Sequence, residues 1–472
     1  MVTDAGRGTA GRLRAYLEAP VSPQSLAVVR IAFGLILAWD WWRYVKYDRI
    51  GRYYVEPDLL FPFLPFVHPL PEPWIHVLWG GVGLFGLLVA AGAFYRVSIA
   101  ALTGIFLYFF LLDRAQYLNH HYMVILYGAL LAVMPAHRAW SVDAWLRPRL
   151  RRRTVPRWPV ATIRLQTEII LIYAGLVKIT DDWLRGEPLR TWLAGRDDAV
   201  FFGFLFQYDW AFPAAAWGTI FLHVLGAPLL LWGRTRLAVF LIYAFFHWSN
   251  AQLFNIGIFP WITLALTTVF FAPDWPQRLA RRALGAFEPV GPAPVHAGPP
   301  APARMGGALA AFLVAWFAVQ VVLPAREAAF AGDVGWTGDG HRFSWRMRIH
   351  DRDGRGRFHV VAPDGRRWSV DPMGPASPVS RRQADQVLTR PDLAHAFARH
   401  VAARFAAAGI EGVRVHADIV VALNGRPYQR FIDAEVDLVA ARWGLFEETA
   451  WVLPNPLRAP DGPTAVRQVA GR

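Results

Sequence analysis

Residues 74–112 read WIHVLWGGVGLFGLLVAAGAFYRVSIAALTGIFLYFFLL, a stretch whose only charged side chain is Arg96. It holds two apolar runs, 74–94 and 97–112, either side of a Gly-Ala-Phe-Tyr-Arg break. A bilayer core is crossed by roughly 20 apolar residues at a helical rise of about 1.5 Å each. The pair therefore reads as two membrane helices joined by a tight turn. Working outward at the same spacing, further apolar runs fall at 25–45, 123–134, 161–178, 212–232, 236–249, 257–272 and 306–323, which makes nine candidate spans. The runs at 123–134 and 236–249 are short and must borrow flanking residues.

Composition agrees. The 472 residues are 55% hydrophobic and 18% charged, against about 25% charge in soluble domains. With no cysteine, disulfides, thiolate metal sites, iron–sulfur clusters and cysteine nucleophiles are excluded. The net charge of +14 has a simpler source than nucleic acid, because short cytoplasmic loops of membrane proteins carry excess Arg and Lys. Arg7, Arg12 and Arg14 precede the first span. Seven arginines (138, 147, 149, 151, 152, 153 and 157) follow the fourth, Arg234 and Arg236 follow the sixth, and Arg278, Arg281 and Arg282 follow the eighth. In a nine-span chain all four groups share one side. The expectation is an α-helical polytopic membrane bundle, N-terminus in the cytoplasm, of a plasma or inner membrane, in contact with lipid and not with nucleic acid. No cleavable signal is needed, since the first span lacks a small-residue cleavage site.

Residues 283–305, rich in Pro, Ala and Gly, read as a cytoplasmic linker. Past Leu323 the pattern changes. His341 to Val370 alternates apolar and polar around Asp353-Gly354 and Pro363-Asp364-Gly365, which predicts paired strands. Ser380 to Ala408 reads as helix, and Val413–Val421 with Tyr428–Val436, joined through Asn424-Gly425, as a hairpin. Two domains follow: 1–323 in the membrane, and 324–472 as a mixed, strand-rich extracytoplasmic unit.

The chain has two lysines among 49 basic residues, Lys46 and Lys178. Lys46 lies in the polar YVKYDR and reads as interfacial. Lys178 ends an apolar run, where an ionisable group is costly and marks function by default. Two readings stand: a lysine snorkelling to the headgroups, or a buried amine used as a base because burial disfavours its ammonium form. Asp181 and Asp182 pair with it if the helix continues. Two more polar groups fall on the same side of the membrane: Tyr117-Leu118-Asn119-His120-His121-Tyr122, whose adjacent histidines point to different helix faces, and FFHWSNAQLFNIGIFPW with His247, Asn250, Gln252 and Asn255. The three predict an outward-opening polar pocket roofed by the tail domain. Arg164 and Glu168, spaced i, i+4, are expected to neutralise one another, whereas Arg30 has no evident partner. No metal site and no nucleotide motif appear.

Taken together these segments resemble the vitamin K-dependent gamma-glutamyl carboxylases and their bacterial relatives with a horizontally transferred transmembrane (HTTM) domain. The resemblance runs through YYVEPDLLFPFLPFVHPLP (53–71), YLNHHY (117–122), WSVDAWL (140–146), GLVKITDDWL (175–184), HWSNAQLFNIGIFPW (247–261), GWTGDGHRFSWRM (335–347) and ALNGRPYQRFIDAEVDL (422–438). It implies a membrane lyase that oxidises vitamin K hydroquinone, or menaquinol, with O2 to the epoxide. That oxidation drives CO2 addition at the γ-carbon of glutamate in a peptide or protein substrate, with no metal. By resemblance Lys178 is the base that deprotonates the hydroquinone, and Asn119 and His120 stand beside the quinone. His247, Asn250, Trp345 and Met347 line its pocket, while Arg430 and His350 serve the substrate glutamate. One departure is visible: after Leu323-Pro324 the family often carries a histidine where this chain has Glu327. That substitution bears on carboxylation more than on epoxidation, so an epoxidase without carboxylation is the alternative. The rival of another class is a non-enzymatic transporter or receptor on the same scaffold, whose paired repeats and broken helices are not evident.

Overall fold

A computed structural model describes residues 8–196, 198, 202–284, 305–330 and 332–458. The expected linker lies almost wholly outside the described residues, which stop at Leu284 and resume at Met305. Each of the nine apolar runs falls in a helix: α1 (Gln24–Lys46), α2 (Trp74–Ala91), α3 (Tyr95–Leu112), α4 (Asn119–Val133), α5 (Trp158–Leu176), α6 (Ala211–Leu229, with a π-helical turn at Leu222–Gly226), α7 (Arg236–Leu253), α8 (Phe259–Thr267) and α9 (Gly307–Ala325). Five of them (α1, α2, α3, α6 and α9) are long and apolar enough to cross a membrane. The other four are shorter or interrupted by polar side chains. The chain is a multi-pass membrane protein.

Helices α1 and α2 touch backbone to backbone. A Cβ on Gly34 would stand 2.4 Å from the Gly86 carbonyl oxygen and 2.5 Å from the Ala90 nitrogen, the close approach that small residues permit between membrane helices. Arg30, fully buried, donates to the carbonyls of Ala136 (3.0 Å) and Ala139 (3.2 Å) in the turns after α4 and of Ala90 (3.3 Å) in the last turn of α2, so the partner missing from the sequence is a set of backbone carbonyls. Arg164 does likewise with Val269, Phe270 and Phe271. It therefore does not neutralise Glu168, one carboxylate oxygen of which is buried with no hydrogen-bond partner. Backbone acceptors at the end of α8 reach Arg164 first.

The tail domain is a four-stranded antiparallel sheet in the order β2 (Arg367–Val370), β1 (Arg352–Val361), β3 (Arg414–Leu423), β4 (Gln429–Arg430). Helices α10 (Arg381–Thr389) and α11 (Pro391–Ala407) cover it. Phe358 and Val360 of β1 and Val415, Ala417, Ile419 and Val421 of β3 alternate into a core shared with Val387, Leu393 and Phe397, as a sheet with one buried face requires. The single helix expected over 380–408 is two, because Pro391 has no N–H to continue α10 and holds Arg390 extended (φ −131°, ψ 115°). The expected hairpin forms, with its second strand only two residues long. The strand expected from His341 begins at Arg352; turns occupy 339–340 and 342–345.

This domain sits on one end of the bundle through buried polar bonds. Asp113, closing α3, accepts from the backbone of Ala115 (2.9 Å) and Phe61 (3.3 Å) and from Gln383 Nε2 of α10 (3.0 Å). Trp192 Nε1 donates to Asp351 Oδ1 (3.1 Å). Asp182 accepts from both terminal nitrogens of Arg426 (2.5 and 2.6 Å) and from Asn424 Nδ2 (2.7 Å).

Candidate active site

Lys178 lies two residues beyond the end of α5, outside the helix and at the seam with the tail domain. The chain breaks there: Thr180 is extended (φ −132°, ψ 152°), and its hydroxyl accepts from the Trp183 backbone to start a new short helix, Asp181–Leu184. Because α5 does not continue, Lys178 and Asp182 do not share a helix face. Asp182 turns to Arg426 and Asn424, Asp181 is exposed, and the pairing with Lys178 open in the sequence is not made. Lys178 is 5% exposed. Its Nζ donates to the carbonyls of Ala174 (3.0 Å) and Met347 (3.1 Å) and stands 5.1 Å from the Trp183 ring centre. Among the described residues no carboxylate lies within ion-pair distance of it. Burial, with the Arg346 guanidinium nearby, pushes the amine down to about 7.

The acceptor at Met347 belongs to a covering segment of unusual backbone. Phe343 (φ 64°), Trp345 (φ 58°) and Arg348 (φ 48°) are all left-handed, a conformation costing non-glycine residues of order 1–2 kcal/mol each. Packing holds it there. Trp345 is fully buried and stacks on Tyr122 at 5.2 Å, and the Phe343 backbone N–H donates to the Tyr117 hydroxyl (2.8 Å). Asn119 accepts from Tyr117 (2.9 Å) and donates Nδ2 to the Arg346 carbonyl (3.0 Å). The segment thus brings the Met347 carbonyl to Lys178 and the Arg346 carbonyl to Asn119, and lays Trp345 on Tyr122.

His120 and His121 diverge. His121 packs edge-on to Phe106 (5.4 Å) and His120 faces Phe259 of α8 (6.4 Å). A Cβ on Gly257 (φ +61°) would stand 3.2 Å from an Arg43 terminal nitrogen and 3.6 Å from His120 Nε2, so glycine is what lets these side chains close over the 254–258 turn. Phe259 also meets His247 at 5.6 Å. His247 is fully buried, and neither ring nitrogen has a hydrogen-bond partner. Of the polar cluster around it, Asn250 bonds back to its own helix at Phe246 (2.9 Å), and Gln252 and Asn255 are exposed; only His247 joins the interior.

Three participants escaped the sequence reading. His223, in the π-helical turn of α6, packs its Cβ 2.9 Å from where a side chain on Gly175 would begin, and its Nδ1 is taken by the Thr219 carbonyl (2.8 Å). It looked like one histidine on an apolar helix. Arg346 bonds Glu327 Oε2 (3.1 Å) and His350 Nε2 (3.1 Å). Gln320, buried in α9, accepts from Gln166 (3.2 Å); nothing in its apolar surroundings marked it. His350 therefore reaches the site through Arg346. Arg430 does not approach it by any bond among the described residues: it is exposed on β4, opposite Val420.

Residues 18–275, more than half of the chain, match the family described as HTTM domain. Residues 306–458 match the vitamin K-dependent gamma-carboxylase, lumenal domain. No solved structure matches the chain.

Proposed function

The chain belongs to the vitamin K-dependent gamma-carboxylase family, joining an HTTM domain to that family's lumenal domain, and from this premise we propose that it oxidises vitamin K hydroquinone with O2 and couples this to CO2 addition at a glutamyl γ-carbon. In this reading residues 324–472 lie outside the cytoplasm, above a membrane domain of 1–323. The observation that carries it is Lys178: a buried amine held by two carbonyls, with a guanidinium beside it and, among the described residues, no carboxylate to keep it protonated. A base for a phenolic proton needs a neutral amine near neutral pH.

The interior suits a planar ring bearing oxygens. Both nitrogens of His247 and the indole N–H of Trp345 are buried without a partner, and buried polar atoms seek one. Once bound, the hydroquinone with O2 supplies the strong base that removes the γ-proton. Lys178 Nζ accepts the phenolic proton. Asn119, His120 and His247 offer polar atoms where negative charge develops, and Trp345 with Tyr122 excludes water. His350 is assigned to the substrate carboxylate through Arg346, and Arg430, exposed on β4, keeps that assignment on the resemblance alone.

A specific observation favours a second reading, epoxidation without carboxylation: the side chain of Glu327, where the family often carries a histidine, is engaged in an ion pair with Arg346. The test is purified protein in nanodiscs with vitamin K hydroquinone, O2, labelled bicarbonate and a glutamate peptide. Epoxide and fixed label together, both lost in a folded Lys178→Ala protein, support the carboxylase. Epoxide alone supports the second reading, and undiminished epoxide in Lys178→Ala removes the lysine from its role.

A further inference from the structure

Lys178 is held by fewer acceptors than its protonated form can use. A neutral amine has two hydrogens, and the carbonyls of Ala174 (3.0 Å) and Met347 (3.1 Å) take both. The ammonium formed when the amine accepts a proton has three. In a buried pocket a third acceptor is then needed, because an N–H left without one is costly. Among the described residues no carboxylate lies within ion-pair distance, so that acceptor is a neutral group.

His223, to which the reading above gives no role, has the position and the free nitrogen. To reach the Ala174 carbonyl the lysine side chain folds back over the last turn of α5, next to Gly175. A Cβ on Gly175 would meet Val224 Cγ2 at 2.7 Å and His223 Cβ at 2.9 Å, so the missing side chain is what lets α6 bring its histidine against this turn, within reach of the lysine's charge. The π-helical turn Leu222–Gly226 carries the residue, and such turns recur at functional sites. The ring is fixed. It is 4% exposed, edge-on to Tyr243 (5.9 Å) and Phe246 (5.3 Å), with Nδ1 on the Thr219 carbonyl (2.8 Å). A carbonyl can only accept, so Nδ1 carries the hydrogen and Nε2 is left with a lone pair. That nitrogen makes no hydrogen bond among the described residues. The titratable groups around His223 are Lys178 of the α5 end and Tyr243 and His247 of α7, with Glu168 of α5 near Tyr243 and Arg346 near the lysine.

We propose that His223 Nε2 is the third acceptor: it takes the third hydrogen of protonated Lys178 and then the proton itself, returning the lysine to its neutral amine. This rests on Lys178 as the base and adds the positioning residue through which the base is reset. The balance is one proton. An N–H bond of the ammonium breaks, an Nε2–H bond forms, and the charge moves to an imidazolium whose Nδ1–H stays on Thr219. Lysine labelled with 13C at Cε gives two signals from the full chain in nanodiscs, and the one lost in Lys178→Met titrates whether or not the protein turns over. His223→Phe, or His223→Leu where phenylalanine does not fold, removes the acceptor. A hydrogen bond from the charged amine favours that form, so its loss moves the Lys178 midpoint down by about one pH unit. His223→Gln offers an oxygen that accepts the hydrogen bond and cannot take the proton; the midpoint then stays at the wild-type value while oxidation of vitamin K hydroquinone slows about a hundredfold. An unchanged midpoint in folded His223→Phe or His223→Leu overturns the proposal, as does wild-type turnover in His223→Gln. A wild type that oxidises no quinol removes the function proposed above, and the lysine midpoint still decides whether His223 is its acceptor.

Discussion

Asp182 divides two accounts of the site. Its side chain is 2% exposed and that of Arg426 is 25% exposed. It accepts three hydrogen bonds, two from Arg426 and one from Asn424. Asp182→Asn keeps the shape, removes the charge, and turns an amide NH2 toward donors. Removing one partner of a buried ion pair costs about 3–5 kcal/mol. Because water reaches part of Arg426, the lower end applies, about 3 kcal/mol. The measurement is a double-mutant cycle on equilibrium unfolding in a fixed detergent. Asp182→Asn and Arg426→Gln are each expected to cost about 3 kcal/mol, and the double variant well below their sum, a coupling of about 2 kcal/mol. The control cycle pairs Asp182→Asn with Lys178→Met, for which the clamp account expects coupling under about 0.5 kcal/mol. Additivity with Arg426, or strong coupling with Lys178, would refute the assignment of Asp182 to the domain seam and restore it as the lysine's counter-ion.

Two lysines make Lys178 observable. After reductive 13C-methylation, one of two dimethyl-lysine signals should titrate with a midpoint near 7 and move upward in Arg346→Gln, which removes the neighbouring cation; a midpoint near 10 would contradict the buried-base account. The sign follows for stability: between about 7 and 10.5 the unfolded chain holds a proton that the folded one lacks, so this group makes stability rise with pH across that window and withholds it below. Lys178→Met should flatten that rise in pH-dependent unfolding. Gly257→Ala should cost about 1–2 kcal/mol, since φ +61° is strained for alanine and its Cβ would press on Arg43 at 3.2 Å; unfolding midpoints check this.

The sequence reveals the helices because their signal is local. Nine apolar runs become nine helices, and the β1–β3 core follows from alternation in 352–361 and 414–423. Lys178 stood out through chemistry, as one of two lysines in an arginine-rich chain. What stayed hidden depends on distant backbone. Arg30 and Arg164 bond backbone carbonyls some hundred positions away, and no spacing rule points to a carbonyl. Arg164 and Glu168 had the right spacing to pair and do not, because i, i+4 geometry sets only proximity and Arg164 is turned to the carbonyls of Val269, Phe270 and Phe271. Asn250 illustrates the converse: an amide in a polar cluster that satisfied itself on the preceding turn.

The covering segment explains why Lys178 needs no counter-ion. Residues 341–351 alternate as a strand would, yet three left-handed residues at 343, 345 and 348 fold them over the bundle end. That backbone turns the carbonyl of Arg346 to Asn119 and that of Met347 to Lys178. The strain, a few kcal/mol in sum, is offset by burying Trp345 completely and by the Glu327–Arg346 pair. A carboxylate at the Met347 position would hold the amine as ammonium. A carbonyl accepts from either form, more strongly from the ammonium, but brings no charge of its own, so the lysine is oriented without an ion pair, and burial with the Arg346 guanidinium favours the neutral form. A base that must return to neutrality after each proton it accepts is better served by that arrangement than by an acid partner.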